Sequence, residues 1–129
     1  MTVALDTSAY SAFNRGDSRL KKWFHVDNEI LISLVVVGEL RAGFAAGNRK
    51  EINEQLLQKF LDAPNVRTVT ITNNTTNLFA EIYLRLRKAG KPIGTNDMWI
   101  AAMSLEHGVS LLTTDNDFSN VPDLMIVKI

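Results

Sequence analysis

Carboxylates are the side chains of this sequence best placed to do chemistry. Asp6 directly follows the apolar run Thr2–Leu5, and Asp115 follows Val109–Leu112 by way of Thr113 and Thr114, with Asp117 two positions beyond. Asp97 opens the segment Thr95-Asn96-Asp97-Met98-Trp99-Ile100-Ala101-Ala102. Glu39 falls in the second turn of a helical segment that begins after Glu29–Ile32. Taken singly, most have a structural explanation. Asp6 suits the cap of a helix starting near Thr7, Asp97 suits a helix N-terminus through the macrodipole, and Asp115 and Asp117 suit Asx turns. Glu39 fits least well. At roughly 100° per residue it lies between Val35 and Val36 with Gly43 beside it, while Arg41 projects about 200° away and cannot neutralise it. A carboxylate on an apolar wheel, without a partner three or four residues away, is costly to bury.

Brought into one cleft, such groups repel, and some must stay protonated unless a cation joins them. A divalent ion resolves the conflict. Mg2+ or Mn2+ suits oxygen ligands, keeps several waters and needs only one or two direct carboxylates, so the others can hold waters behind the first. The chemistry expected of that arrangement is phosphodiester hydrolysis, with metal-activated water as the nucleophile.

The elements that would position these groups alternate in type. Thr2–Leu5, Glu29–Ile32, Val66–Ile71, Val109–Leu112 and Leu124–Val127 are short β-branched runs and read as strands. Between them, Thr75–Lys88 carries an apolar stripe of Leu78, Phe79, Ile82, Tyr83 and Leu86 and stops at Gly90. Asp97–His107, with Thr95 and Asn96 as candidate caps, stops at Gly108, and Ser33 is placed to cap a third helix running to about Gly47. Alternating strands and helices imply a mostly parallel sheet covered on both faces, a three-layer α/β/α sandwich. Handed crossovers then put the strand carboxyl ends along one edge, where ligands bind at a switch point in strand order. All four carboxylate segments end at such an edge.

Composition narrows the field. The 129 residues include 14 Lys and Arg against 14 Asp and Glu, so the net charge is zero and neither a generic nucleic-acid coat nor a polybasic membrane binder is indicated. Without cysteine there is no disulfide framework, thiolate nucleophile or Cys-based zinc site. No linker, repeat or low-complexity tract divides the chain, so residues 1–129 are expected to form a single domain. Neither a signal peptide nor a membrane span is visible, and the expected location is cytoplasmic.

The ordered set Leu5-Asp6-Thr7-Ser8, Ser33 with Gly38-Glu39-Leu40, Asn96-Asp97 with Ile100-Ala101-Ala102, and Leu112-Thr113-Thr114-Asp115-Asn116-Asp117-Phe118 resembles the PIN domain. Within that family the chain is similar to the VapC toxins of bacterial and archaeal toxin-antitoxin pairs. The resemblance implies a sheet of five parallel strands and a Mg2+ or Mn2+ site made by Asp6, Glu39, Asp97 and Asp115, with Asp6, Asp97 and Asp115 as ligands. It implies that Thr7 and Thr113 orient the site and that Asp117 adds a further carboxylate. It also implies an endoribonuclease acting on transfer or ribosomal RNA, a homodimer, and a cognate VapB-like antitoxin that blocks the site.

Other features are more ambiguous. Arg85, Arg87, Lys88 and Lys91 cluster before the Asp97 helix, where they would either contact RNA phosphates or complement a helix C-terminus. Arg15, Arg19, Lys21 and Lys22 share that ambiguity. Trp23, Phe24 and Trp99 suit core packing better than base stacking. His25 and His107 have no metal-ligand spacing and are expected to have no catalytic role. The apolar segment Leu34–Phe44 is suited both to burial between layers and to contact with a partner. Among other activities, an aspartyl-phosphate receiver would need its acceptor after the third strand, where Val69-Thr70-Ile71-Thr72-Asn73 stands. A dehalogenase-type phosphatase would need an Asp at Ser8. The non-enzymatic alternative is an inactive or inhibited PIN module that binds RNA or protein, and four intact acidic positions weigh against it. No glycine-rich loop offers a nucleotide cradle.

Overall fold

The computed structural model describes all 129 residues. In chain order it contains β1 (Thr2–Leu5), α1 (Thr7–Asn14), α2 (Ser18–Lys21), a 3-10 turn at Lys22–Phe24, β2 (Glu29–Ser33), α3 (Leu34–Ala46) and α4 (Lys50–Leu61). There follow β3 (Val66–Val69), α5 (Asn73–Lys88), α6 (Thr95–His107), β4 (Ser110–Thr113), a second 3-10 turn at Asn116–Asn120 and β5 (Ile126–Lys128). The five strands form one all-parallel sheet in the order β3-β2-β1-β4-β5, the middle layer of the expected α/β/α sandwich.

The central strands are apolar without alternation because both faces of a parallel sheet are covered. Val3, Leu5, Ile30, Leu31, Ile32, Leu111 and Leu112 are all buried, and they meet Ala9 and Tyr10 of α1, Val36 and Leu40 of α3, and Ile100 to Met103 of α6. Tyr10, Phe13, Phe24 and Phe60 extend this core as an aromatic cluster, with Phe13 and Phe24 stacked at 3.9 Å.

Several boundaries differ from the sequence pattern, each for a local reason. β3 stops at Val69, since the chain then turns into the capping box of α5, where Thr72 and Thr75 satisfy each other. Val109 is outside β4 because its N–H closes the end of α6 on the carbonyl of Ser104. Neither Thr95 nor Asn96 caps α6. Gly94 is the cap residue and offers no side-chain bond, its carbonyl accepting from the N–H of Met98 at 3.0 Å. Ser33 does cap α3, accepting from the N–H of Val35. Helix α4 was not expected: it buries only Leu57 and Phe60, too short an apolar stripe to stand out among its charged residues. On α5, Ile82 and Leu86 are buried while Tyr83 of the same stripe stays in solvent.

Candidate active site

Sheet order decides which chain segments meet. β1 lies between β2 and β4, so the chain leaves β1 in one direction and later returns on its other side, which makes the carboxyl ends of β1 and β4 the switch point. Leu5 is in register with Leu112, and the next residues bring Asp6 and Thr113 together.

Asp6 is 4% exposed, yet its carboxylate is fully engaged. It accepts from Thr113 Oγ1 at 2.5 Å, from Ser8 Oγ at 2.7 and 2.8 Å, and from the N–H of Ala9 at 2.8 Å, so it also caps α1. Burial raises its pKa; the bonds from Thr113, Ala9 and Ser8 pull it back, and the charge of Asp115 pushes it further up. The same hydroxyls hold the end of β4. Ser8 Oγ accepts from the N–H of Thr114 at 3.0 Å, and Thr113 Oγ1 accepts from the N–H of Asp115 at 2.9 Å. Asp115 in turn accepts from the N–H of Asp117 at 2.9 Å in an Asx turn, leaving Asp117 exposed at the rim.

Glu39 reaches the same edge from the second turn of α3. Its Oε1 accepts from Thr7 Oγ1 at 2.7 Å and its Oε2 from Asn96 Nδ2 at 3.4 Å, which bridges α3 to α1 and α6. Arg41 faces away and pairs with Glu54. From the first turn of α6, Asp97 completes the group. Its pKa is pushed up to about 6, first by burial and then by the charges of Asp115, Glu39, Asp6 and Asp117. Those four carboxylates therefore lie within electrostatic range of Asp97.

No basic side chain neutralises the cleft. The ion pairs of the molecule are Arg19–Asp17, His25–Asp27, Arg41–Glu54, Arg67–Glu29 and Arg85–Asp123, none of which includes a cleft carboxylate. No three acidic side chains converge as a ready-made set of direct metal ligands. A hard divalent cation does not require one, because Mg2+ is bound through one or two carboxylates with waters completing its shell. All-oxygen donors and uncompensated negative charge at Asp97 fit such an ion.

Ser8 and Asn96 contribute contacts to the site that the sequence pattern did not indicate. Ser8 sits two residues after a strand-end Asp at the start of a helix, a position from which its hydroxyl folds back onto the carboxylate. By sequence Asn96 is a candidate cap, but the packing of α3 against α6 turns its amide to Glu39 instead. The basic cluster divides: Arg85 pairs with Asp123 at 3.2 Å and Arg87 donates to Tyr83 Oη at 3.1 Å, while Lys88 and Lys91 are exposed and unpaired. Trp99 stacks on Phe79 at 3.9 Å, and Trp23 and Phe24 are packed against the core. His25 is exposed beside Asp27, and His107 bonds through Nδ1 to the carbonyl of Met103.

The PIN domain family model matches residues 3–124. Ribonuclease VapC4 of Mycobacterium tuberculosis is 32% identical over 98 residues, covering 76% of this chain and 75% of that protein. Ribonuclease VapC5 of the same organism is 26% identical over 128 residues, covering 97% and 91%. Among solved structures, VapBC2 from Rickettsia felis, bound to a DNA fragment from its promoter, superposes with a TM-score of 0.86 at 28% identity, over 99% of this chain and 98% of that one. With the family match spanning almost the whole sequence and the fold superposing over nearly its full length, the chain belongs to the PIN domain family, among the relatives of the VapC ribonucleases.

Proposed function

We propose that this protein is a metal-dependent endoribonuclease, the VapC-like toxin of a toxin-antitoxin pair, which hydrolyses phosphodiester bonds of transfer or ribosomal RNA in the carboxylate cleft. One observation carries the proposal: several carboxylates from four chain segments share a cleft with no basic partner, and burial together with the charges of its neighbours pushes Asp97 up to about 6. A fold tolerates such repulsion where a cation is to be bound.

Asp6, Asp97 and Asp115 would hold Mg2+ or Mn2+, directly or through water. When bound, the ion supplies a water of lowered pKa and screens the phosphate charge. Thr113, Ser8 and the N–H of Ala9 hold the buried Asp6 carboxylate in place at the end of β1 and pull its pKa back against the rise that burial causes. Thr7 fixes one oxygen of Glu39, and the other is bonded only by Asn96 at 3.4 Å, which leaves it able to accept a proton from an attacking water. Asp117 adds negative charge at the rim. Lys88 and Lys91 are free to contact RNA phosphates, which would position the strand without reading its sequence.

A cognate VapB-like antitoxin and a homodimer complete the proposal. The Rickettsia felis relative was crystallised as a VapBC complex, and here Ile52 and Leu56 leave α4 with exposed apolar surface that a partner would cover. Residues 1–129 act as one unit, acting in the cytoplasm where such RNA is found; no helix is long and apolar enough to cross a membrane.

The test is cleavage of pooled transfer and ribosomal RNA by antitoxin-free protein, with Mg2+ or Mn2+, with chelator, and with Asp6→Asn. Discrete cuts that need both the metal and Asp6 are expected, with at least a 100-fold loss in the variant, a size in keeping with loss of electrostatic stabilisation at a reacting centre. Equal cleavage by Asp6→Asn would remove the cleft from the mechanism, and absence of cuts from every RNA would return the chain to a binding module.

A further inference from the structure

Beside the carboxylate cleft, between the C-terminal half of α5 and the first turn of α6, lies a groove of about 370 Å3. Ile93 and Met98 give it an apolar lining, and Tyr83 and Arg87 of α5 stand along its wall. Tyr83 is 46% exposed although it follows the buried Ile82, so its ring is presented to solvent rather than to the core. Arg87 Nη1 donates to Tyr83 Oη at 3.1 Å, which steadies the ring. Arg87 has no carboxylate partner, since Asp123 pairs with Arg85, and its other guanidinium N–H groups remain free to donate.

Three features identify what would fill this groove. It shares one helix turn with the cleft: Thr95 and Met98 line it from the turn of α6 that carries Asp97, and a helix with its side chains is only about 10–12 Å across, so a strand spanning that turn reaches both. Its cationic lining residue is Arg87, with the exposed Lys88 and Lys91 close by in the chain, whereas the carboxylate cleft is anionic, so a polyanion is attracted to this side of α6 and not by the cleft's own side chains. Its chemistry is that of base recognition: an exposed aromatic face, an apolar surface and an arginine with no carboxylate partner and further N–H groups free to donate.

Resting on the ribonuclease reading, we propose that the groove binds the nucleobase of a nucleotide next to the scissile phosphate, stacked on Tyr83, with Arg87 donating to its edge. The ligand class is an unpaired ribonucleotide. Guanine is favoured because its O6 and N7 both accept from an arginine fork. Tyr83 and Arg87 thereby become specificity determinants, distinct from the carboxylates that perform hydrolysis.

The test reads binding without cleavage. Metal-free protein in EDTA is titrated with each of the four nucleoside 5′-monophosphates, and with ribose 5-phosphate as the base-free control, while the methyl NMR signals of Ile93 and Met98 are followed. Guanosine monophosphate should give saturable ring-current shifts at both methyls and bind more tightly than the other three. Tyr83→Ala should weaken it at least five-fold with no change in thermal midpoint, and Arg87→Lys should remove the preference for guanine. Equal shifts with ribose 5-phosphate would reduce the groove to a phosphate contact, and no shift with any nucleotide would overturn the proposal. Nucleotide-independent shifts that grow with protein concentration would overturn it too, marking the groove as a contact between copies. Protein that binds guanosine monophosphate here but cuts no RNA would support the pocket while failing the nuclease reading, so the two failures are separable.

Discussion

Asp97 concentrates the electrostatic conflict of the cleft in one titration. Its folded pKa of about 6 exceeds the ordinary 3.8, so the folded state holds this proton more tightly than the unfolded chain does. Stability of the metal-free protein should therefore increase as pH falls from about 6 towards 4, and the penalty is present in full above 6. Asp97→Asn removes it. The variant should be more stable than the parent by about 1–2 kcal/mol at pH 7.5, after allowing for solvent screening, and nearly equal to it at pH 4. Urea denaturation of both proteins in EDTA at the two pH values measures this, and a variant less stable at pH 7.5 would contradict the charge assignment. Asp6 differs because three groups hydrogen-bond to its carboxylate, offsetting much of what burial costs.

At the scale of elements, the site depends on helices starting and stopping at the right residues. α6 must end at Gly108 so that β4 can begin at Ser110 and deliver Thr113 and Asp115 beside Asp6. Gly108 has φ +64°, in the left-handed region that closes many helices, and a Cβ added there would meet nothing within 4 Å. The cost of Gly108→Ala is thus conformational alone. It should destabilise the protein by about 1 kcal/mol, lowering the thermal midpoint by about 3–5 °C, with cleavage at 25 °C unchanged. Thermal melts paired with a cleavage assay would check it, and an unchanged midpoint would show that the turn carries no strain. At the same end of the α5–α6 pair, Glu106 accepts from Thr72, Asn74 and Thr75, so the start of α5 is anchored to the helix that carries Asp97.

For the molecule as a whole, an acidic cleft that bound a cation only when folded, as proposed, would couple loading to stability. Saturating Mg2+ at about 100 times its dissociation constant would stabilise the fold by about 2.7 kcal/mol by mass action. The thermal midpoint should rise with Mg2+ beyond the effect of NaCl at matched ionic strength. In a variant carrying both Asp6→Asn and Asp97→Asn the added rise should disappear. Equal responses to the two salts would mean that the cleft holds no specific cation.

Much of this was legible in the residues themselves. β-branched runs alternating with helical stretches specify parallel strands, and parallel strands joined by handed crossovers must end on one edge, so the positions of Asp6, Glu39, Asp97 and Asp115 along the chain already pointed to a shared cleft. The wheel of α3 turned Arg41 away from Glu39 before any contact was known. Local pattern stops there. It carries no information about which strands are neighbours, and the bond between Thr113 and Asp6 spans 107 residues. The weak apolar stripe of α4, the turn of Asn96 towards Glu39, the pairing of Arg85 with Asp123 and the exposure of Tyr83 all depend on what packs alongside. The sequence by itself determined the elements and the chemical character of their ends, because periodicity and side-chain type are local properties. The tertiary structure decided which ends share a cleft and which cations stay free, because those outcomes are set by contacts between segments distant in the chain.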